Sequence, residues 1–238
     1  MQAVIIGASG GIGAALTRQL AERQDIERVF AFSRSGHAPG GEKVVAGTLD
    51  LTDEASIEAA AKTVSTTAQP VLVIVATGIL SNQDGLQPER SYKRQSAEAF
   101  EKVFAINTFG PGLVAKHFLP LMPRSGRAVF AALSARVGSI SDNRIGGWHA
   151  YRASKAALNM LIRNYAIEQA RRNEDFIAVS LHPGTVDTAL SKPFQTGVPD
   201  KQLFTAEQSA EYLLRVIDSL TPNDTGKAFD WAGKEIPA

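Results

Sequence analysis

Short apolar, β-branched runs return along this chain with helical periodicity between them, and that alternation limits the possible folds more than any other feature. AVIIG (Ala3 to Gly7) has the pattern of a buried strand, and Ile12, Leu16 and Leu20 then recur at helical spacing. RVFAFS (Arg28 to Ser33) and KVVAGTL (Lys43 to Leu49) predict two further strands, followed by a helix capped by Thr52 with Ala55 in its first turn. PVLVIVAT (Pro70 to Thr77) is too continuously apolar to be half exposed and fits a central parallel strand covered on both faces. A helical stretch from Ala97 to Leu119, loosened by Gly110, Pro111 and Gly112, leads to the strand RAVFAALS (Arg127 to Ser134). A helix containing Tyr151, the strand FIAVSLH (Phe176 to His182), a helix over Ala206 to Ser219 and a last strand near Lys227 to Trp231 complete the series. Such βα repetition predicts an α/β fold, a doubly wound parallel sheet of about seven strands with helices on both faces and right-handed crossovers.

No internal repeat or low-complexity linker interrupts the series, so one domain over residues 1–238 accounts for it. The least regular stretches, near 79–96, 139–149 and 185–202, follow strands. In an open α/β sheet ligands bind beyond the carboxyl ends of strands, which makes these the candidate substrate loops. Acids and bases nearly balance, 24 against 25, and the basic residues are spread along the chain, which argues against a nucleic-acid partner. Cysteine is absent, so there is neither a disulfide framework nor a thiolate metal site. His37, His117, His149 and His182 show no metal-ligand spacing, and no metal is expected. No basic leader precedes the first strand and no apolar run approaches membrane-spanning length. The expectation is a soluble, cytoplasmic protein with no membrane partner.

GASGGIG (Gly7 to Gly13) lies directly between the first strand and the first helix. Glycine there permits a tight turn, close backbone approach to a pyrophosphate and close helix–strand packing, and the helix N-terminus offers unpaired N–H groups. Gly7, Gly11 and Gly13 carry this reading, with Ser9 and Ile12 as further cofactor contacts in the same loop. The spacing differs from G-x-G-x-x-G and lacks the Lys-Ser/Thr ending of a triphosphate loop. The second strand runs into Ser33-Arg34-Ser35 with no acidic residue to accept from a free ribose hydroxyl. NADP(H) is therefore expected in preference to NAD(H), with Arg34 on the 2′-phosphate and Ser33 or Ser35 as its hydrogen-bond partner. Asp50 and Leu51, after the third strand, would lie beside the adenine.

AYRASKAALN (Ala150 to Asn159) sets Tyr151 and Lys155 one helical turn apart. In isolation this is also the spacing of a surface pair. An ammonium beside a phenol favours phenolate and lowers a pKa that is otherwise about 10, which would make Tyr151 a usable acid or base.

With GASGGIG at the start, YRASK in the middle and HPGTV after the following strand, the chain resembles the short-chain dehydrogenase/reductase family over nearly its whole length. The resemblance implies a Rossmann-type sheet and reversible hydride transfer between a nicotinamide and a small carbonyl or alcohol. It implies catalytic roles for Tyr151, Lys155 and Asn107, the last holding a water that links Lys155 to solvent. Ala76 and Gly78, in Ala76-Thr77-Gly78, stand where the family has Asn-Ala-Gly, and Pro183, Gly184, Val186 and Thr188 match the segment that holds the nicotinamide. The family's serine falls on Ala135 when counted back from Gly138. Either a bulged strand end lets Ser134 face the substrate or Ser139 takes over; Ser134 is preferred. SARVGSISDNRIGGW further resembles the C-factor (C-signal) and sniffer-type carbonyl reductase branch. Substrate walls are expected from Ile79 to Asp84, Ser139 to His149 and Ala189 to Val198, with Ile140, Trp148, Leu190 and Phe194 giving apolar surface. The resemblance also implies a homodimer or homotetramer built on the Asn107 and Tyr151 helices. The alternative is a C-factor-like signalling or regulatory protein that binds the dinucleotide with little turnover; a pure binding module would need the glycine loop but not Tyr151, Lys155 and Asn107 together.

Overall fold

The computed structural model describes residues 1–195 and 203–238. Ten strands and six α-helices alternate along it: β1 (Gln2–Ile6), α1 (Gly11–Glu22), β2 (Arg28–Ser33), β3 (Val44–Thr48), α2 (Glu54–Ser65), β4 (Pro70–Val75), α3 (Ala97–Phe104), α4 (Gly110–Phe118), β5 (Ala128–Leu133), α5 (His149–Ala170), β6 (Phe176–His182), β7 (Thr185–Val186), β8 (Leu203–Phe204), α6 (Ala206–Ser219), β9 (Ala228–Asp230) and β10 (Glu235–Ile236). Eight of the strands form one sheet in the order β10-β9-β6-β5-β4-β1-β2-β3, and β7 and β8 form a second, two-stranded sheet. Every pairing in the large sheet is parallel except β9 with β10. The expected doubly wound sheet is present with one strand more than expected.

Alternation along the strands builds two cores, because successive side chains point to opposite faces. Val4, Ile6, Val73, Val75, Phe130 and Ala132 pack with residues of α2, α4 and α5 on one face. Ala3, Ile5, Leu72, Ile74, Val129, Ala131 and Leu133 pack with residues of α1 and α6 on the other. Strand order reverses between β1 and β4, so the carboxyl ends of β1, β4, β5 and β6 open into one crevice.

Three local expectations change. Asp53, not Thr52, caps α2, its carboxylate accepting the Ala55 N–H at 3.0 Å. Thr52 instead donates to Asp50 through both its N–H and its hydroxyl, at 2.9 and 2.8 Å. The helical stretch after Ala97 is interrupted earlier than its glycines suggest, by a π-helical turn over Ala105–Phe109 that contains Asn107. Gly110, just after it, is required for packing rather than bending: a Cβ there would lie 2.6 Å from the Leu51 Cβ.

Candidate active site

The glycine loop is shaped by close backbone approaches. Gly7 has φ +96, and a Cβ on it would sit 2.7 Å from the Ala76 carbonyl oxygen and 2.8 Å from the Thr77 methyl. A Cβ on Gly13 would sit 2.2 Å from the Gly7 carbonyl oxygen, and one on Gly11 would sit 2.9 Å from the Thr188 methyl. Those contacts involve five of the expected cofactor positions, Gly7, Gly11, Gly13, Ala76 and Thr188. Helix α1 starts from Gly10 with no side-chain cap, so no side chain of the cap residue satisfies its first N–H groups. Thr77 Oγ1 is buried beside the loop without a partner among the described residues. An uncapped helix end, an orphaned hydroxyl and a floor cleared of side chains fit a dinucleotide pyrophosphate.

The flanking positions divide. Ser33 is buried and donates to the His37 carbonyl at 2.8 Å, shaping the turn after β2, while Arg34 is exposed beyond it. Leu51 points into the core against Gly110, so its backbone alone is available to an adenine. Ser9 is exposed, and Ile12 packs partly against the core below α1. At the far end, Ser209 on α6 donates to the Pro183 carbonyl at 2.9 Å, and Gly184, at φ +80, leaves room for Phe204 and Trp231 against it. Val186 is buried in β7.

Helix α5 carries the other half of the site. Tyr151 and Lys155 are both buried, and the Lys155 Nζ lies 5.8 Å from the centroid of the Tyr151 ring. Nζ donates to the Leu133 carbonyl at 2.7 Å. A Cβ on Gly78 would lie 3.4 Å from that Nζ, 3.5 Å from Asn107 Oδ1 and 3.9 Å from a Leu190 methyl. Three sequence-predicted residues from separate elements thus meet around Gly78, with Leu190 as one wall. Burial pushes the Tyr151 phenol up to about 12 and the Lys155 ammonium down to about 7. The sequence predicts a lowered phenol. Desolvation acts on both groups here, and the ammonium is turned to a carbonyl rather than to the phenol oxygen.

Asn107 is fully buried in the π-helical turn. Its Oδ1 accepts the Ile79 N–H at 2.8 Å, and its Nδ2 donates to the Ile79 carbonyl at 2.9 Å and to Ser154 Oγ at 3.1 Å. The side chain expected to hold a water ties the loop after β4 to α5.

The two candidate serines are held by different partners. Strand β5 keeps an unbroken register with β6 from Ala128 to Leu133, and the Ser134 N–H continues the ladder by donating to the Leu181 carbonyl at 2.8 Å. Ser134 continues the Phe130–Ala132 face and donates to Asn159 Oδ1 at 2.8 Å, one turn beyond Lys155. Ser139 is also buried; its hydroxyl accepts the Asp142 N–H at 3.1 Å and donates to no acceptor among the described residues. Gly138, just before it, packs directly on Lys155: a Cβ would lie 2.8 Å from the Lys155 Cβ.

Trp148 and Phe194, two of the expected walls, stack edge-on at 5.3 Å, and Trp148 lies 6.2 Å from Tyr151. Ile140 is exposed. Residues 196–202, including the end of the expected wall at Val198, lie outside the described residues. Sequence reasoning missed Glu89, a buried carboxylate that accepts the Ala150 N–H immediately before Tyr151. A lone acid in a polar loop gives no periodic signal that could have found it.

The described residues include no helix long and apolar enough to cross a membrane. The short chain dehydrogenase family model matches residues 1–198. The C-signal of Myxococcus xanthus is 40% identical over 136 residues, covering 57% of this chain and 76% of that protein. A 1-hydroxy-2-glutathionyl-2-methyl-3-butene dehydrogenase of Rhodococcus is 30% identical over 226 residues, covering 94% of this chain and 93% of that one. Among solved structures, an NADPH-bound carbonyl reductase from chicken fatty liver is 27% identical at TM-score 0.81, covering 100% of this chain and 98% of its own. The carbonyl reductase Sniffer of Drosophila melanogaster shares the fold at TM-score 0.83 and 21% identity, covering 100% and 99%. The glycine loop, the buried tyrosine–lysine pair and these matches make this chain a member of the short-chain dehydrogenase/reductase family, an NAD(P)-dependent oxidoreductase.

Proposed function

We propose that the protein is an NADP(H)-dependent reductase of a small carbonyl compound with an apolar part, and that Tyr151 is its proton donor. The observation that carries this is the buried Tyr151–Lys155 pair at the mouth of a glycine-lined crevice. The cofactor supplies the hydride when bound. The protein's own work is to orient the reactants and manage one proton. A phenol whose pKa is pushed up to about 12 is fully protonated at neutral pH, the form needed to give a proton to a carbonyl oxygen as negative charge develops. Lys155 lies close enough to steady the phenolate left behind, and Asn107 holds the loop that carries Gly78 against it.

For the second hydrogen bond to the substrate oxygen we assign Ser139 rather than Ser134. Ser134 spends its proton on Asn159, whereas Ser139 donates to no acceptor among the described residues and follows the glycine packed on Lys155. Arg34, exposed at the end of β2 with no side-chain ion pair among the described residues, is the group for the 2′-phosphate. Leu190, Trp148 and Phe194 supply the apolar wall. Met160 and Ile167, exposed along α5, support a homodimer or homotetramer, which light scattering would measure.

The test is NADPH oxidation with a panel of aldehydes, ketones and diketones, run beside Tyr151→Phe, Ser134→Ala and Ser139→Ala. Turnover should fall by ~10²- to 10⁴-fold in Tyr151→Phe. It should fall by ~10²-fold in Ser139→Ala and by much less in Ser134→Ala. The similarity to C-signal supports a second reading, a dinucleotide-binding signalling protein. Tight NADPH binding without turnover of any carbonyl would favour it.

A further inference from the structure

Glu89 lies in the loop between β4 and α3 and is 4% exposed. Among the described residues no lysine, arginine or histidine pairs with its carboxylate. A buried carboxylate needs compensation, and the group that meets this one is the start of α5. Its Oε1 and Oε2 accept the Ala150 N–H at 3.4 and 3.3 Å, at the positive end of a 22-residue helix. The Glu89 backbone carbonyl accepts the Trp148 N–H at 2.5 Å. One residue therefore grips the chain at 148 and 150, directly before Tyr151.

The backbone gripped there is strained. Trp148 has φ 50, and no other described non-glycine residue has a positive φ. It follows Gly146 and Gly147, at φ 70 and 68, so three left-handed residues in succession turn the chain into α5. A tryptophan holds such a conformation only where its surroundings over-determine it. Glu89 holds it from one side. From the other, Arg152 donates to the Gly147 carbonyl at 3.1 Å and the Val137 carbonyl at 3.3 Å. The loop bearing Glu89 is itself seated by Leu86, packed with Val103 and Ala150. Glu89 and Tyr151 line the same narrow cavity with Leu80, Leu86 and Val103.

We infer that Glu89 is a positioning residue: it clamps the strained entry to α5 and thereby fixes how far the Tyr151 phenol reaches toward the substrate oxygen. It acts through the helix start, not on the substrate. The inference rests on the proposed role of Tyr151 as proton donor.

The experiment compares Glu89→Ala, Glu89→Gln and Glu89→Asp with Tyr151→Phe, using NADPH and the carbonyl of the panel above that the unaltered protein reduces fastest. It reads kcat, KM, the NADPH dissociation constant and thermal stability. Glu89→Ala should lower kcat ~10- to 100-fold, as displacement of a reacting group does, with KM and NADPH affinity nearly unchanged. Glu89→Gln keeps an acceptor in the same place and should recover most of kcat. Glu89→Asp, with its acceptor drawn back by one methylene, should fall between, and it decides the matter if the alanine variant does not fold. A lower melting temperature with unchanged kcat in whichever of the alanine and aspartate variants folds would overturn the inference while leaving Tyr151→Phe inactive. Full turnover in Tyr151→Phe, or no turnover of any carbonyl of the panel by the unaltered protein, would overturn the proposed proton donor and this inference with it.

Discussion

The two halves of the crevice are made in opposite ways. On the dinucleotide side the site is built by removing side chains: Gly7, Gly11 and Gly13 each stand where a Cβ would lie within 2.9 Å of a neighbouring atom. On the proton side it is built by burying polar ones, with Tyr151, Lys155, Asn107, Ser134 and Glu89 all 9% exposed or less. The first half depends on steric clearance within a few consecutive residues. The second depends on contacts between β4, β5 and α5 that lie far apart along the chain. A clearance fails abruptly when filled, whereas a buried polar set fails by degrees, through geometry and protonation.

The largest effect should come from breaking the steric half. Gly13→Ala would place a Cβ 2.2 Å from the Gly7 carbonyl oxygen, and both partners are backbone, so no side chain can rotate away. Overpacking at a rigid contact costs ~1–3 kcal/mol and can exceed that. The expected outcome is a large fall in melting temperature together with loss of NADPH binding. Gly40→Ala is the matched control, since nothing lies within 4 Å of its added Cβ and its φ is not positive. Thermal unfolding and NADPH fluorescence titration of the pair would sharpen the contrast; equal behaviour of the two would break it.

A smaller effect is expected at the rim, where neither burial nor clearance applies. Arg34 is exposed, and it helps to hold the Asp50 carboxyl below its usual range, after the Thr52 N–H and hydroxyl. Arg34→Ala should weaken NADPH binding by ~10- to 100-fold, the worth of ~1.5–3 kcal/mol for hydrogen bonds to a charged group. NADH affinity should stay the same, and stability should hardly move. Competitive titration with the two dinucleotides measures it. Equal loss for both would remove Arg34 from the 2′-phosphate.

The same contrast governs what the sequence discloses. GASGGIG is legible because its constraint is local, and YRASK because one helical turn fixes its two side chains on one face. The sheet is legible where strands are five residues or longer and continuously apolar. It is not legible at β7, β8 and β10, two residues each, which are too short to show a period. The orientation of Ser134 is decided by register with β6 and by Asn159 from α5, and Glu89 by the approach of a loop to a helix end. Neither relation has a trace in spacing. The phenol's direction of shift escapes for the same reason, since a lysine one turn away argues for lowering while burial, a property of the whole fold, argues for raising and prevails.

His182 gives the smallest and most graded test of the buried polar half. It ends β6, one residue before Pro183, and its Nδ1 is buried without a partner among the described residues. Burial pushes its pKa down to about 4 from 6.5; the Arg136 guanidinium lowers it further and the Asp230 carboxylate opposes. Arg136 itself bridges Asp142 at 3.0 Å and Asp230 at 3.2 Å, so the imidazole shares its surroundings with an ion pair that ties the 139–147 loop to β9. Between pH 4 and 6.5 the unfolded chain binds a proton at this residue and the folded one does not. Stability linked to His182 is therefore complete above about pH 6.5 and is lost as the pH falls toward 4. In His182→Asn that slope should flatten in urea unfolding followed between pH 4 and 7, with little change at pH 8. An unchanged slope would mean that the imidazole is solvated in the folded protein and that the acid sensitivity belongs to the carboxylates around it. Above pH 7 the buried Lys155 acts with the same sign, because its neutral amine gains a proton on unfolding up to the ordinary 10.5, so Lys155→Met should flatten the alkaline window and leave the acidic one alone.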